Sequence, residues 1–263
     1  MAKKFIQTAY LKKIVKETKN IKTFRLDLDM PALPGQFAML WVPGMDEKPI
    51  SISYVGESVG FTILRKGATT TKLHEMKGGE LLGVRGPLGR GFKISGEKLV
   101  MIGGGVGMAP IAPLVERAIE KGRETTVIIG ALTESEILFG DRLERAGAEV
   151  IRCTDDGSCG FKGFCTEAFK QTLEERTFDE CFTCGPEIMM VKVLELTKRY
   201  KIPTQVSLER YFKCGIGICG HCVVDGSGLR VCKEGPIFRD VEIEGVRDFG
   251  RYYRDASGKK IFW

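Results

Sequence analysis

The chain has 263 residues, 43% of them hydrophobic and 28% charged, with 40 Lys+Arg against 34 Asp+Glu for a formal net charge of +6. That is enough apolar material for two modest domains, and the interspersed signs, with no basic stripe or interleaved stacking aromatics, argue against nucleic-acid binding. No apolar run reaches the roughly 18 residues of a membrane span. The N-terminal MAKKFIQTAYLKKIVKETKN lacks the apolar core and cleavage site of a signal peptide, so a cytoplasmic protein is expected. In a reducing compartment nine cysteines are not expected to form a disulfide frame, and the odd count argues the same way. Metal or redox chemistry is the better expectation for any clustered subset.

Residues 1–97 read as a β-rich domain. AYLKKIVKET, NIKTFRLDLD, GQFAMLWVP, ISISYVG, GFTILRKG and LLGVRGPLG are short runs bounded by Gly, Pro, Asp or Asn, several of them alternating. They predict an antiparallel barrel or sandwich. One helix is expected near TTTKLHEMKGG, with threonines available to cap it.

The pattern changes at Lys98. KLVMIGGG is an apolar strand running into glycines, and Ile111, Leu114, Val115, Ala118 and Ile119 follow at helical spacing up to Gly122. ETTVIIGAL is a second buried strand, which makes a βαβ unit and implies a parallel sheet. GAEVIRCTDDGS and FDECFTCGP read as two more strands around the helix CTEAFKQTLEER. In PEIMMVKVLELTKRYK the residues Ile188, Val191, Leu194 and Leu196 fall on or near one helical face. The expected organisation is 1–97 barrel, 98–207 α/β nucleotide domain and 208–263 cysteine module with tail.

The cysteine module carries Cys214, Cys219, Cys222 and Cys232 in the pattern C-x4-C-x2-C-x9-C. Its first three positions have the spacing of plant-type [2Fe–2S] proteins, with a distant fourth thiolate. Gly215, Gly217 and Gly220 would let the backbone approach a cluster closely, with amides aimed at its sulfurs. Zinc is the rival, but structural zinc sites pair two short knuckles and only Cys219 and Cys222 make one. A Rieske centre needs two histidine ligands. The chain has only His74, far away in the barrel, and His221, which reads as a neighbour of the cluster.

Gly103, Gly104, Gly105 and Gly107 lie between a strand and a helix, where a pyrophosphate could meet a helix N-terminus. The G-x-G-x-x-G fingerprint does not close, because its third position is Met108 or Pro110. From the residues alone, a nucleotide site and a tight packing turn both stay open.

Together the motifs resemble the ferredoxin–NADP reductase superfamily. KPISIS (48–53) resembles its flavin-binding strand, GATT (67–70) its flavin pyrophosphate loop, GPLGRGF the turn that ends the barrel, GGGVGMAP its nucleotide loop and TCGP (183–186) its nicotinamide-side turn. The order of barrel, nucleotide domain and cluster module, with KCGIGICGHC, GLRVCKEGP and the ending DFGRYYRDASGKKIFW, is similar to the electron transfer subunits of heteromeric dihydroorotate dehydrogenases, especially archaeal ones. Lys48 stands where the family has Arg, and Ile50 where it has Tyr, so the ring that stacks a flavin is missing at that position. Lys48 can still neutralise phosphate, as a point charge without a bidentate fork.

The resemblance implies FAD, a [2Fe–2S] cluster and NAD(H). The implied flavin residues are Lys48, Pro49, Ile50, Ser51, Ile63, Leu64, Arg65, Gly67, Thr69 and Thr70. Gly103, Gly104, Gly105, Gly107 and Gly185 would hold the dinucleotide, with Cys184 near hydride transfer as a packing and positioning group. The cluster ligands would be Cys214, Cys219, Cys222 and Cys232. The implied partner is an FMN-bearing catalytic subunit in a heterotetramer, the dihydroorotate site lying on that partner. Phe212, Lys213 and Ile216 are the expected docking face. Glu134 leans towards NAD over NADP, while Arg142 and Arg145 lean the other way. Cys153, Cys159, Cys165 and Cys181 are read as structural thiols, Cys159 and Cys165 flanking a glycine-rich loop near the nucleotide pocket. With two histidines and no Cys–His pair, a covalent nucleophile is not expected. Two alternatives stand beside this reading. One is a subunit of an NAD(P)H-linked ferredoxin reductase or hydrogenase; four cysteines without a replacing aspartate count against its electron-bifurcating type. The other is a non-catalytic zinc-stabilised binding module, which leaves KPISIS and GATT unexplained.

Overall fold

The computed structural model describes residues 5–56 and 58–263. Six strands, β1 (Gln7–Lys16), β2 (Ile21–Leu26), β3 (Phe37–Trp41), β4 (Lys48–Tyr54), β5 (Gly60–Leu64) and β6 (Leu81–Leu88), close into a barrel in the order β1–β2–β5–β4–β3–β6. All neighbours are antiparallel. Alternation sorts the side chains: Ala9 and Leu11 are buried while Tyr10 and Lys12 face out. Helix α1 (Ala68–Glu75) lies between β5 and β6, and its Leu73, with Met76 just beyond it, joins the barrel core. The hydroxyl of Thr70 accepts the N–H of Lys66 and of Gly67, fixing the turn that starts this helix.

The second body is a sheet with helices on both faces. Its elements are β7 (Lys98–Gly104), α2 (Met108–Glu120), β8 (Glu124–Ala131), α3 (Gly140–Ala146), β9 (Glu149–Thr154), β10 (Phe161–Lys162), α4 (Cys165–Glu175), β11 (Glu180–Cys184), α5 (Glu187–Tyr200) and β12 (Thr204–Ser207). A further strand, β13 (Ile237–Arg239), completes the order β10–β9–β8–β7–β11–β12–β13, parallel except for the antiparallel β12–β13 pair. Central strands are buried on both sides, as parallel sheets require. Leu99, Met101, Val127 and Ile129 face one core with α2, and Val100, Ile102 and Ile128 face the other with α4 and Val193 of α5. The expected face of α5 is corrected. Ile188 is exposed and Val191 only half-buried, whereas Glu187, Met190, Val193 and Thr197 are buried. Glu187 goes inward because Arg210, distant in sequence, meets it there.

Residues 208–236 leave the sheet after β12 and return to it as β13. They contain only an isolated bridge between Val223 and Arg230 and another between Arg90 and Pro236. Helix α6 (Asp240–Ile243) and a hairpin of β14 (Tyr252–Arg254) and β15 (Lys260–Phe262) follow. The segment shares one core with both other bodies. Phe37, Met39 and Leu88 of the barrel, Met190 of α5 and Val206 of β12 pack with Phe212, Cys222, Val224, Val231, Cys232 and Phe238. Phe212 is thus buried against Phe37, with ring centroids 5.0 Å apart, and Ile216 is half-buried beside that core. Neither forms the exposed docking face expected of them.

Candidate functional site

In the cysteine loop Gly215, Gly217 and Gly220 have φ of +69°, +78° and +70°, which side-chain-bearing residues rarely adopt. These turns aim backbone donors at sulfur. Gly217 N–H donates to Cys232 Sγ at 3.2 Å, Ile218 N–H to Cys214 Sγ at 3.3 Å and Cys232 N–H to Cys222 Sγ at 3.4 Å. For Cys214, burial alone would raise the pKa, but N–H donors from Cys219, Ile216 and Ile218 outweigh it and bring the thiol down to about 6. Cys222 comes down to about 7, chiefly through the hydrogen bond from the Cys232 thiol, while Cys232 is pushed up as its partner. The loop thus sets Cys214 beside Cys219 and Cys222 beside Cys232. Cys219 is exposed and Cys222 and Cys232 are buried, so one pair faces outward and the other inward.

Arg230 was not singled out from the sequence, yet it braces this loop. Its Nη1 donates to the Gly217 carbonyl at 2.8 Å, and Glu234 holds the guanidinium from the other side. His221 is held as a neighbour. Its Nε2 lies 3.1 Å from the Ala256 carbonyl, and its ring meets Tyr211 edge-on at 5.3 Å. Tyr211 in turn lies 6.0 Å from Lys48 Nζ, which links β4 to the cysteine loop.

On β4, Lys48, Pro49, Ile50 and Ser51 are all half-buried, and Ser51 pairs with Phe37 of β3. The half-buried Ser51 hydroxyl has no protein hydrogen-bond partner among the described residues. Leu64, Arg65 and Gly67 are exposed beside the start of α1, where first-turn amides lack intrahelical acceptors. Thr69 is buried and Thr70 half-buried in that turn. Ile63 differs from its neighbours. Its side chain is 2% exposed inside the barrel core and its carbonyl is 2.8 Å from His74 Nε2. It offers a ligand main chain at most.

The glycine turn and the TCGP turn meet at the C-terminal ends of adjacent strands, with Cys184 opposite Gly103. A Cβ on Gly107 would lie 2.3 Å from the Cys184 carbonyl oxygen, and one on Gly185 would lie 2.9 Å from the Gly104 nitrogen. Gly105, at φ +52°, faces open space instead. Gly103, Gly104 and Gly107 thus permit close packing, as a tight turn requires, while Gly105 leaves its backbone bare. The Thr183 hydroxyl is buried there with no partner among the described residues. Burial pushes the Cys184 thiol up to about 12, which favours the neutral thiol at neutral pH.

A cleft of about 740 Å³ runs between the barrel and the nucleotide domain and brings Glu134, Arg142, Arg145 and Cys159 together with Tyr54 and Phe139. Arg142 is held on two of its three nitrogens, its buried Nη1 having no partner among the described residues. Its Nε and Nη2 hold both carboxylate oxygens of Glu116 at 2.7 and 2.8 Å, Nη2 also reaches the Ser53 carbonyl, and the guanidinium lies 3.6 Å from the Tyr54 ring centroid. It clamps β4 to α2. Cys153 and Cys165 are buried thiols raised by burial to about 12 and 11, and Cys181 is raised further by the same cause. No helix among the described residues is long and apolar enough to cross a membrane.

Comparison with known proteins decides the family. Residues 209–244 match the model of the iron–sulfur cluster binding domain of dihydroorotate dehydrogenase B, and residues 101–195 that of the oxidoreductase NAD-binding domain. A protein of Methanocaldococcus jannaschii, described as a probable dihydroorotate dehydrogenase B (NAD(+)), electron transfer subunit, is 52% identical over 96% of this chain and 97% of its own length. One of the same description from Methanothermobacter thermautotrophicus is 46% identical over 96% of each chain. This chain belongs to that family of electron transfer subunits. The family makes it an oxidoreductase subunit with an NAD-binding domain and an iron–sulfur-binding module. Among solved structures, an NADH-dependent reduced ferredoxin–NADP oxidoreductase chain superposes with a TM-score of 0.82 at 29% identity, covering 89% of this chain and 88% of its own. A ferredoxin–NADP+ reductase of Neisseria gonorrhoeae shares the fold, with a TM-score of 0.64 at 18% identity over 74% of this chain and 91% of its own.

Proposed function

We propose that the chain is the electron transfer subunit of a dihydroorotate dehydrogenase, carrying electrons from an FMN-bearing catalytic subunit to NAD+ in pyrimidine synthesis in the cytoplasm. The observation that carries this reading is the meeting of three sites on two strands. The cysteine loop packs on β3 through Phe37 and Met39, β4 lies beside it, and α2 lies on β4 with its glycine turn against β5. When bound, FAD supplies the exchange between a two-electron hydride carrier and a one-electron cluster.

Ser51 offers its hydroxyl to the isoalloxazine edge, Lys48 and Arg65 offer charge to the pyrophosphate, and Gly67, Thr69 and Thr70 offer main chain at the start of α1. Pro49, Ile50 and Leu64 line the same strands. Gly103–Gly107 and Gly185 cradle the dinucleotide, and Cys184 packs beneath it as a neutral thiol. Glu134 shares the cleft with Arg142 and Arg145, and Arg142 Nε and Nη2 are held by Glu116 while its Nη1 has no partner among the described residues; the acidic Glu134 is the ground for NAD. Cys214, Cys219, Cys222 and Cys232 hold a [2Fe–2S] cluster as two pairs. The outward face is Ile218, 79% exposed, beside exposed Cys219 and Lys213, and it replaces Phe212 and Ile216 as the docking surface in a heterotetramer.

The anaerobically purified protein is expected to show flavin bands and a reducible iron–sulfur signal, and its co-purified complex to reduce NAD+ with dihydroorotate. A colourless protein that carries zinc would sink the reading. A second reading, a flavin and iron–sulfur subunit of a ferredoxin–NAD(P) oxidoreductase, draws on the 0.82 superposition. Capture of ferredoxin-reductase chains in place of an FMN subunit would favour it.

A further inference from the structure

Glu187 opens α5 and follows directly on Cys184–Gly185–Pro186, yet its side chain is only 6% exposed. Its partner, Arg210, precedes the first cluster cysteine and is 4% exposed. Arg210 Nη1 donates to Glu187 Oε2 at 2.6 Å and Nη2 to Glu187 Oε1 at 3.3 Å. On its other side, Arg210 Nε donates to Asp248 Oδ2 at 2.8 Å. The second oxygen of Asp248 accepts the N–H of Asp225 at 2.9 Å, and Asp225 lies between Cys222 and Cys232. The tail closes the ring. Gly250 N–H donates to Glu187 Oε1 at 2.6 Å, and the Tyr252 hydroxyl and Arg254 donate to Asp225 Oδ2 at 2.6 and 2.8 Å.

One guanidinium thus meets the nucleotide-side turn through one carboxylate and the cysteine module through the other. The surplus negative charge sits at the first residue of α5, where the helix dipole and first-turn amides favour it. Three buried charges stabilise less than apolar packing of the same volume would. What they add is direction, because a planar guanidinium donates to carboxylates along fixed directions in its plane.

We propose that Arg210 is a positioning residue that braces the Cys184–Pro186 turn through Glu187 and the cluster module through Asp248, each arm holding its own site. This rests on the functional reading above. The test uses the FAD- and cluster-loaded protein and two readouts besides turnover: NADH affinity by titration, and the electron paramagnetic resonance spectrum of the dithionite-reduced cluster. Arg210→Met is expected to keep full FAD and iron content, to bind NADH about tenfold more weakly, and to shift the cluster's spectrum. Glu187→Gln is expected to weaken NADH binding alone, and Asp248→Asn to shift the spectrum alone. Should Arg210→Met fail to accumulate, the two single-arm variants decide. Each moving its own readout supports the two-armed brace; both readouts moving in both variants, or neither in either, overturns it. Loaded Arg210→Met with wild-type affinity and spectrum also overturns it. Wild-type protein that carries both cofactors and does not bind NADH overturns the functional reading, and this inference with it.

Discussion

Cys219 is the exposed member of the cluster set, and its partner Cys214 is the thiol most strongly acidified by the loop. Its loss should leave one iron short of a thiolate without disturbing the buried Cys222–Cys232 pair or the barrel. Cys219→Ser is therefore expected to lose the cluster signal and keep stoichiometric FAD, measured by iron analysis and the visible spectrum. In the barrel, burial lowers the pKa of His74 below its usual 6.5, against a smaller raising effect of its bond to the Ile63 carbonyl. A lowered folded pKa means that the unfolded chain takes up the proton first. The contribution to stability is full above pH 6.5 and is lost as the pH falls through the window between 6.5 and the folded pKa. The thermal midpoint should fall below that pH, and His74→Gln, which keeps a donor for Ile63, should flatten the fall in melting curves taken from pH 7.5 to 5.

The glycine turn separates two effects usually confounded. A methyl on Gly107 meets the Cys184 carbonyl at 2.3 Å, whereas one on Gly105 meets nothing within 4 Å. Gly107→Ala should cost about 1–3 kcal/mol of stability by forcing β7 and β11 apart. Gly105→Ala should cost about 1–2 kcal/mol for its left-handed backbone and lose proportionally more NADH affinity, since its methyl projects into the cradle. Paired melting and titration measurements check both. The same turn shows what was legible in the chain. Strong alternation marked the barrel strands, glycines after an apolar run marked β7, and cysteine spacing marked the loop. β12 and β13 escaped because they are four and three residues long with little or no alternation. The inward face of α5 escaped because nothing local announces that Glu187 will be neutralised by Arg210. Phe212 was misread for the same kind of reason: its cover, Phe37, belongs to a barrel strand far earlier in the chain.

The three bodies do not stack like beads. Arg142 clamps the barrel to the nucleotide domain, and one apolar core is shared among barrel, α5 and cysteine module. A partner subunit then meets a rigid platform, and the exposed tip at Ile218 should act as a central apolar anchor. Ile218→Lys is expected to keep FAD and cluster while weakening association with the catalytic subunit by about tenfold or more, read by titration of the separated subunits. Unchanged association would move the docking surface elsewhere.

The cysteine segment, residues 208–236, connects two antiparallel neighbours, β12 and β13, of a single sheet. Topologically it is an oversized hairpin loop, and closing a loop of that length is entropically unfavourable until something shortens it. Metal bound across Cys214 and Cys232 would act as a staple near the base of that loop. Cluster binding would then add to the β12–β13 pairing that closes the sheet edge.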